Sequence, residues 1–176
     1  MSRYLVVVDM QNDFVEGVLG TEEARKIISS VVKKIKEFPG RIIYTKDTHG
    51  PDYLFTQEGR LLPVPHCIAD TYGGKLICEL EQLQAEKSVK IYEKNTFASL
   101  EMAEALKKEH RRRPIESVEL IGVCTDICVV SNAILLKAYL PEVRISVDSS
   151  CCAGVTPQLH EAALETMESC QIMIRR

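Results

Sequence analysis

The stretch Val118-Glu119-Leu120-Ile121-Gly122-Val123-Cys124-Thr125-Asp126-Ile127-Cys128-Val129-Val130 decides the fold. Val118 to Ile121 is an apolar run that reads as a buried strand. Ser131 to Ala138, just beyond, reads as a helix. Two cysteines therefore sit where a central strand turns into a helix. A helix start offers unpaired backbone N–H groups and positive dipole potential. A cysteine there can have its thiol pKa lowered and act as a nucleophile. The competing reading is that Cys128 is a small buried apolar residue, as most free cysteines are.

Moving outward, the same alternation recurs along the chain. Leu5 to Val8 is a β-branched-rich run of the kind buried on both sheet faces, and it ends at Asp9. Thr21 caps a helix whose apolar positions keep helical spacing to about Phe38, where Pro39-Gly40 stops it. Ile42 to Thr45 is a second strand. A long segment from Lys46 to Gly74 follows, rich in Pro, Gly, Asp and His, and loops of that length in compact domains are usually functional. Ile77 to Leu83 reads as a short helix, and Val89 to Tyr92 as a third strand ending at Glu93-Lys94. Ser99 caps a helix from Leu100 to about His110. The helix after Cys128 runs to Tyr139, and Val143 to Val147 is a strand ending at Asp148. Thr156-Pro157 opens the last helix, with proline at its first position. Ile172 to Ile174 reads as a sixth, edge strand.

This pattern predicts an α/β fold over residues 1–176 as one domain, a three-layer α/β/α sandwich around a mainly parallel six-stranded sheet. In such sheets ligands bind at the C-terminal ends of strands. Asp9, Lys94, Cys128 and Asp148 fall there, and Asp47 and His49 lie just past another strand end. No G-x-G-x-x-G or G-x-x-x-x-G-K-[ST] pattern follows the first strand, which removes most support for nucleotide binding.

Composition narrows the function classes. The net charge of -3 leaves no footprint for nucleic acid or an anionic membrane. The basic run Arg111-Arg112-Arg113 closes a helix, where cations suit the C-terminus. No apolar segment reaches the length of a membrane span. The chain goes from Met1-Ser2-Arg3-Tyr4 straight into a strand, which argues against a signal peptide. Seven scattered cysteines, an odd number, point to free thiols in a reducing cytoplasm.

A cysteine nucleophile needs a base for its proton and a cation to hold the thiolate. Asp9 could be the base and Lys94 the cation, with backbone N–H groups of the Cys124 to Cys128 turn receiving an oxyanion. These parts suit acyl transfer from an amide through a thioester. The bland alternatives are a strand-end turn for Asp9 and a solvated Lys94. In the long loop, Asp47-Thr48-His49 and a later Pro65-His66-Cys67 can hold one divalent ion. Imidazole and carboxylate ligands suit zinc, iron or manganese, with positions left open for water or substrate.

These residues resemble a known family. The D-x-Q-x-D-F start at Asp9 to Phe14 and the G-V-C-T-D-I-C-V run at Gly122 to Val129 resemble the isochorismatase-like cysteine hydrolases, and within them the nicotinamidases. The likeness covers nearly the whole chain. It implies a triad of Asp9, Lys94 and Cys128, a cis peptide before Cys124, and an oxyanion hole from the N–H groups of Cys124 and Cys128. It implies a metal site at Asp47, His49 and His66, with zinc foremost, and Phe14 against the ring of a small amide. Such enzymes are often homo-oligomers. Pro63 stands where nicotinamidases carry a ring-clamping tryptophan, and this chain has no Trp. Phe97, Tyr53 or Tyr72 are the candidates to replace it, and Asp148 is expected to support the site from behind. The alternatives are hydrolysis of another amide or ureido compound and a non-catalytic, metabolite-binding member.

Overall fold

The computed structural model describes residues 2–87 and 89–176. Six strands, β1 (Ser2–Val8), β2 (Arg41–Asp47), β3 (Lys90–Lys94), β4 (Ile115–Val123), β5 (Arg144–Ala153) and β6 (Met173–Arg175), form one sheet in the order β3-β2-β1-β4-β5-β6. Every neighbouring pair is parallel. The strand order reverses between β1 and β4. This is the switch point where helices leave to opposite faces and a crevice opens at the strand ends. Asp9 and the Cys124 to Cys128 turn end these two strands.

The helices are α1 (Asn12–Val15), α2 (Glu22–Lys26), α3 (Ile28–Glu37), α4 (Gln57–Leu61), α5 (Cys78–Lys87), α6 (Leu100–Arg112), α7 (Val130–Tyr139) and α8 (Pro157–Ser169). On one face α2 and α3 pack against β5, and Lys87 of α5 donates to the Ile35 carbonyl at 3.2 Å. On the other face α6, α7 and α8 lie side by side. Leu5 to Val8 are almost wholly buried, as expected of a strand covered on both faces. Among the described residues, no helix is long and apolar enough to cross a membrane.

Two details depart from the sequence reading. The helix expected from Thr21 to Phe38 breaks at Ile27, whose N–H bonds the Arg25 carbonyl rather than one four residues back. Ala24 and Ile27 reach the core along with Val31 and Ile35, at helical spacing that runs through the break. The strand expected to end at Asp148 continues to Ala153. Its pairing with β4 shifts between Leu120–Val147 and Gly122–Cys152, so Asp148 lies within β5 rather than at its end.

Gly122 fixes the close approach at the switch point. Its φ is +119°, and an added Cβ would sit 2.2 Å from the Val8 carbonyl oxygen. Only glycine tolerates both conditions.

Candidate active site

Three strand ends converge on one buried cluster. Asp9 leaves β1 in a left-handed conformation, φ 50°, and is fully buried. Thr45 of β2 donates its hydroxyl to Asp9 Oδ1 at 2.6 Å. Lys94 ends β3, and its long side chain crosses beneath β2. It places Nζ 2.7 Å from Asp9 Oδ2, 3.6 Å from Cys128 Sγ and 3.7 Å from Asp47 Oδ1. The structure thus brings together Asp9, Lys94 and Cys128, as the sequence reading expected.

Burial sets the electrostatics. It pushes the Asp9 carboxyl above its ordinary 3.8, and the Lys94 charge opposes it. It pushes the Cys128 thiol well above the ordinary range, and the neighbouring Asp9 charge adds to this. Burial alone would lower Lys94, but Asp9, Cys128 and Asp47 together outweigh it and hold the amine above its ordinary range. Lys94 Nζ thus lies between the Asp9 carboxyl and the Cys128 thiol.

The Val123–Cys124 peptide is cis, as the family resemblance implied. Thr125 to Val129 then form a π-helical turn, and α7 follows. The Cys124 carbonyl accepts from the N–H groups of Ile127 and Val129 at 3.1 and 3.0 Å. Asn132 is fully buried and holds the turn from α7. Its amide donates to the carbonyls of Cys128 and Phe97 at 2.8 and 3.1 Å, and its oxygen accepts from the Ser99 N–H at 3.0 Å. The Cys124 thiol is pushed up to about 12 by burial, which leaves its sulfur inert.

Beside this cluster lies a candidate metal centre. His49 Nε2 is 2.9 Å and His66 Nε2 3.4 Å from Asp47 Oδ2. Glu58 Oε1, from α4, lies 3.8 Å from each of those nitrogens. Asp47, His49 and His66 were expected from their spacing. Glu58 was not, because only the folding of α4 over the site brings it near. The His66 Nδ1–H donates to the Val64 carbonyl at 2.8 Å, which leaves Nε2 facing the carboxylates. The Tyr53 ring packs edge-on against both imidazoles. Gln11 clamps the Asp47 backbone, accepting its N–H at 2.7 Å and donating to its carbonyl at 2.8 Å. Two imidazole nitrogens and two carboxylates within 4.8 Å of one another form a donor set that fits a divalent ion.

A cavity of about 210 Å³ joins the two centres. Cys128 lines it, and so do Asp47, Glu58 and His66. Phe14 and Phe97 line it, together with Leu19, Leu62, Ile127 and Val155. Of the aromatics considered in place of the missing tryptophan, only Phe97 borders the cavity. Tyr53 is buried behind the histidines, donating its hydroxyl to the Leu62 carbonyl at 2.9 Å, and Tyr72 is 72% exposed.

Asp148 does not support this site. Its carboxylate pairs with Lys34 of α3 at 2.5 Å and accepts from the Ser150 hydroxyl at 2.6 Å. It borders a separate cavity of about 460 Å³ beside α3 and β6.

Residues 3–175 match the isochorismatase domain family. The isochorismatase family protein PncA of Bacillus subtilis (strain 168) is 33% identical over 174 residues, covering 93% of each chain. The crystal structure of a nicotinamidase/pyrazinamidase from Bacillus subtilis covers 100% of both chains at 30% identity, with a TM-score of 0.86. A pyrazinamidase of Pyrococcus horikoshii in complex with zinc gives a TM-score of 0.80 at 28% identity, covering 100% of this chain and 99% of that one.

Proposed function

The chain belongs to the isochorismatase family, and we propose that it is a cysteine amidohydrolase of a small aromatic amide of the nicotinamide type. The observation that carries this reading is Lys94 Nζ at 2.7 Å from Asp9 and 3.6 Å from Cys128, at the end of a small, mostly apolar cavity. Similar proteins are nicotinamidases or pyrazinamidases, which gives the substrate class.

In this mechanism Asp9 takes the thiol proton as Cys128 Sγ attacks the amide carbon, and Lys94 stabilises the negative charge. The oxyanion accepts hydrogen bonds from the N–H groups of Cys124 and Cys128. Asp9 passes the proton to the leaving nitrogen, ammonia departs, and a thioester remains. Asp9 then removes a proton from water, which attacks the thioester and releases the acid and the free thiol. Phe14 and Phe97 hold the ring, and apolar walls exclude bulk water. Asp47, His49, His66 and Glu58 would hold a divalent ion, zinc foremost and iron or manganese as alternatives. When bound, such an ion supplies a Lewis-acid anchor for a ring nitrogen.

Ammonia release from nicotinamide, pyrazinamide, benzamide and a ureido compound tests the reading. Turnover of the first two, abolished in Cys128→Ala by at least about a thousandfold, is expected. No release from any aromatic amide would remove it. Pro63 in place of the clamping tryptophan favours a second reading, a different small amide or ureido substrate, which the same panel detects. Elemental analysis of the purified protein tests the metal, and His49→Ala with His66→Ala should remove it.

The free thiols suit a reducing compartment such as the cytoplasm. Phe55 and Leu61, 79% and 81% exposed, support a homo-oligomer, which light scattering after gel filtration would test.

A further inference from the structure

The turn that carries Cys128 has no side-chain cap at its start, since Cys124 makes none. Its first residues are held from outside. Fully buried Thr125 places Oγ1 2.8 Å from His160 Nδ1. Asp126 Oδ1 accepts the Val155 N–H at 2.9 Å. Both anchors belong to the segment that opens α8.

That segment is a rigid strut. Thr156 caps α8 by accepting the Leu159 N–H at 3.2 Å, and Pro157 sits in its first turn. Leu164 and Met167 bury the far end of the helix in the core. Gly154, just before Val155, fits between Asp126 and the backbone of His160. A Cβ there would stand 2.8 Å from Asp126 Oδ1 and 2.9 Å from the His160 nitrogen, so the strut seats only with glycine at this position. Burial lowers the His160 pKa and so favours the neutral imidazole, whose Nδ1 pairs with the Thr125 hydroxyl as donor or acceptor according to the tautomer. Val155, within the same strut, lines the substrate cavity.

We propose that His160 is a positioning residue, which through Thr125 holds the Cys124–Cys128 turn where its N–H groups receive the oxyanion. It touches neither sulfur nor cavity. The proposal rests on the amidase reading for its turnover arm, and on the oxyanion role of the turn throughout. Displacing such donors costs rate steeply because they act only at fixed geometry.

Two probes of Cys128 separate positioning from general damage. Pyridine-3-carbaldehyde adds reversibly. The sulfur–carbon bond forms, the carbonyl π pair moves to oxygen, and that oxygen takes the thiol proton and lies in the hole. Iodoacetamide alkylates the same sulfur by displacing iodide, with the thiol proton released to solvent and no oxyanion formed. In Thr125→Val, aldehyde adduct affinity and kcat should both fall about ten- to a hundredfold, with KM changed less than about twofold. Alkylation should stay within about twofold of the parent, and Thr125→Ser should restore both losses. His160→Leu should copy Thr125→Val and His160→Asn should recover part of the loss, which keeps the test alive if one variant does not fold. Unchanged adduct affinity in both Thr125→Val and His160→Leu would overturn the proposal. So would a parallel loss of alkylation. A parent that forms the adduct but releases no ammonia removes the amidase reading alone, and the adduct-to-alkylation comparison still decides the positioning role. A parent that forms neither adduct nor ammonia removes both.

Discussion

Cys128 is buried as deeply as a core residue, yet it stands beside two opposite charges. Burial pushes the thiol and the Asp9 carboxyl upward together, and the Lys94 charge opposes both shifts. In the proposed mechanism the base must be ionised to accept the thiol proton. Because the Asp9 pKa is raised above 3.8, kcat/KM should fall on the acid side through an apparent pKa above that value. A pH profile flat down to 3.8 would exclude Asp9 as the base. The candidate triad was legible from the strand-end positions of Asp9, Lys94 and Cys128, helped by the motif likeness. Glu58 and His160 were not legible. Each reaches the site from a distant element, and no local spacing ties it to its partners. Asp148 misled for a related reason, since an irregular stretch inside β5 carries no mark in the apolar pattern.

At the level of elements, the site depends on where β1, β4 and α7 meet. Gly122 lets β4 approach β1, and Asn132 ties α7, the start of α6 and the Cys128 turn into one unit. Asn132→Ala would leave the Ser99 N–H and the carbonyls of Cys128 and Phe97 without partners. Buried groups of this kind cost about 1–3 kcal/mol each when unpaired. With partial compensation by water, the melting temperature should drop by roughly 5–10 °C, which calorimetry would measure. A drop under about 2 °C would show that the amide is dispensable. The strands and most helices were readable because apolar runs and caps are local signals. The break at Ile27 was not, because the apolar spacing runs through it without interruption.

Across the whole molecule, the buried charged groups of the described residues fall into two separate sets. One surrounds Cys128. The other joins Lys34 to Asp148 and Glu119, with Arg175 also on Glu119 at 3.2 Å. Burial would raise the Asp148 carboxyl, but the Lys34 hydrogen bond and charge hold it below 3.8. A lowered native pKa contributes stability above the unfolded value, and that contribution is lost as pH falls through the native one. Asp148→Asn should therefore melt lower than the parent at pH 7, with the two converging below pH 3.8. A constant gap across that range, followed by thermal melts, would assign the role to packing instead. The sequence by itself determined the alternating α/β architecture and the parallel sheet, because period, caps and turn chemistry act between near neighbours; the candidate triad and loop ligands came from strand-end positions together with the motif likeness. Only the tertiary structure decided that Asp148 faces Lys34, that Glu58 joins the histidines, and that α8 packs against the Cys128 turn. Those are contacts between residues far apart in the chain, fixed by how the layers pack.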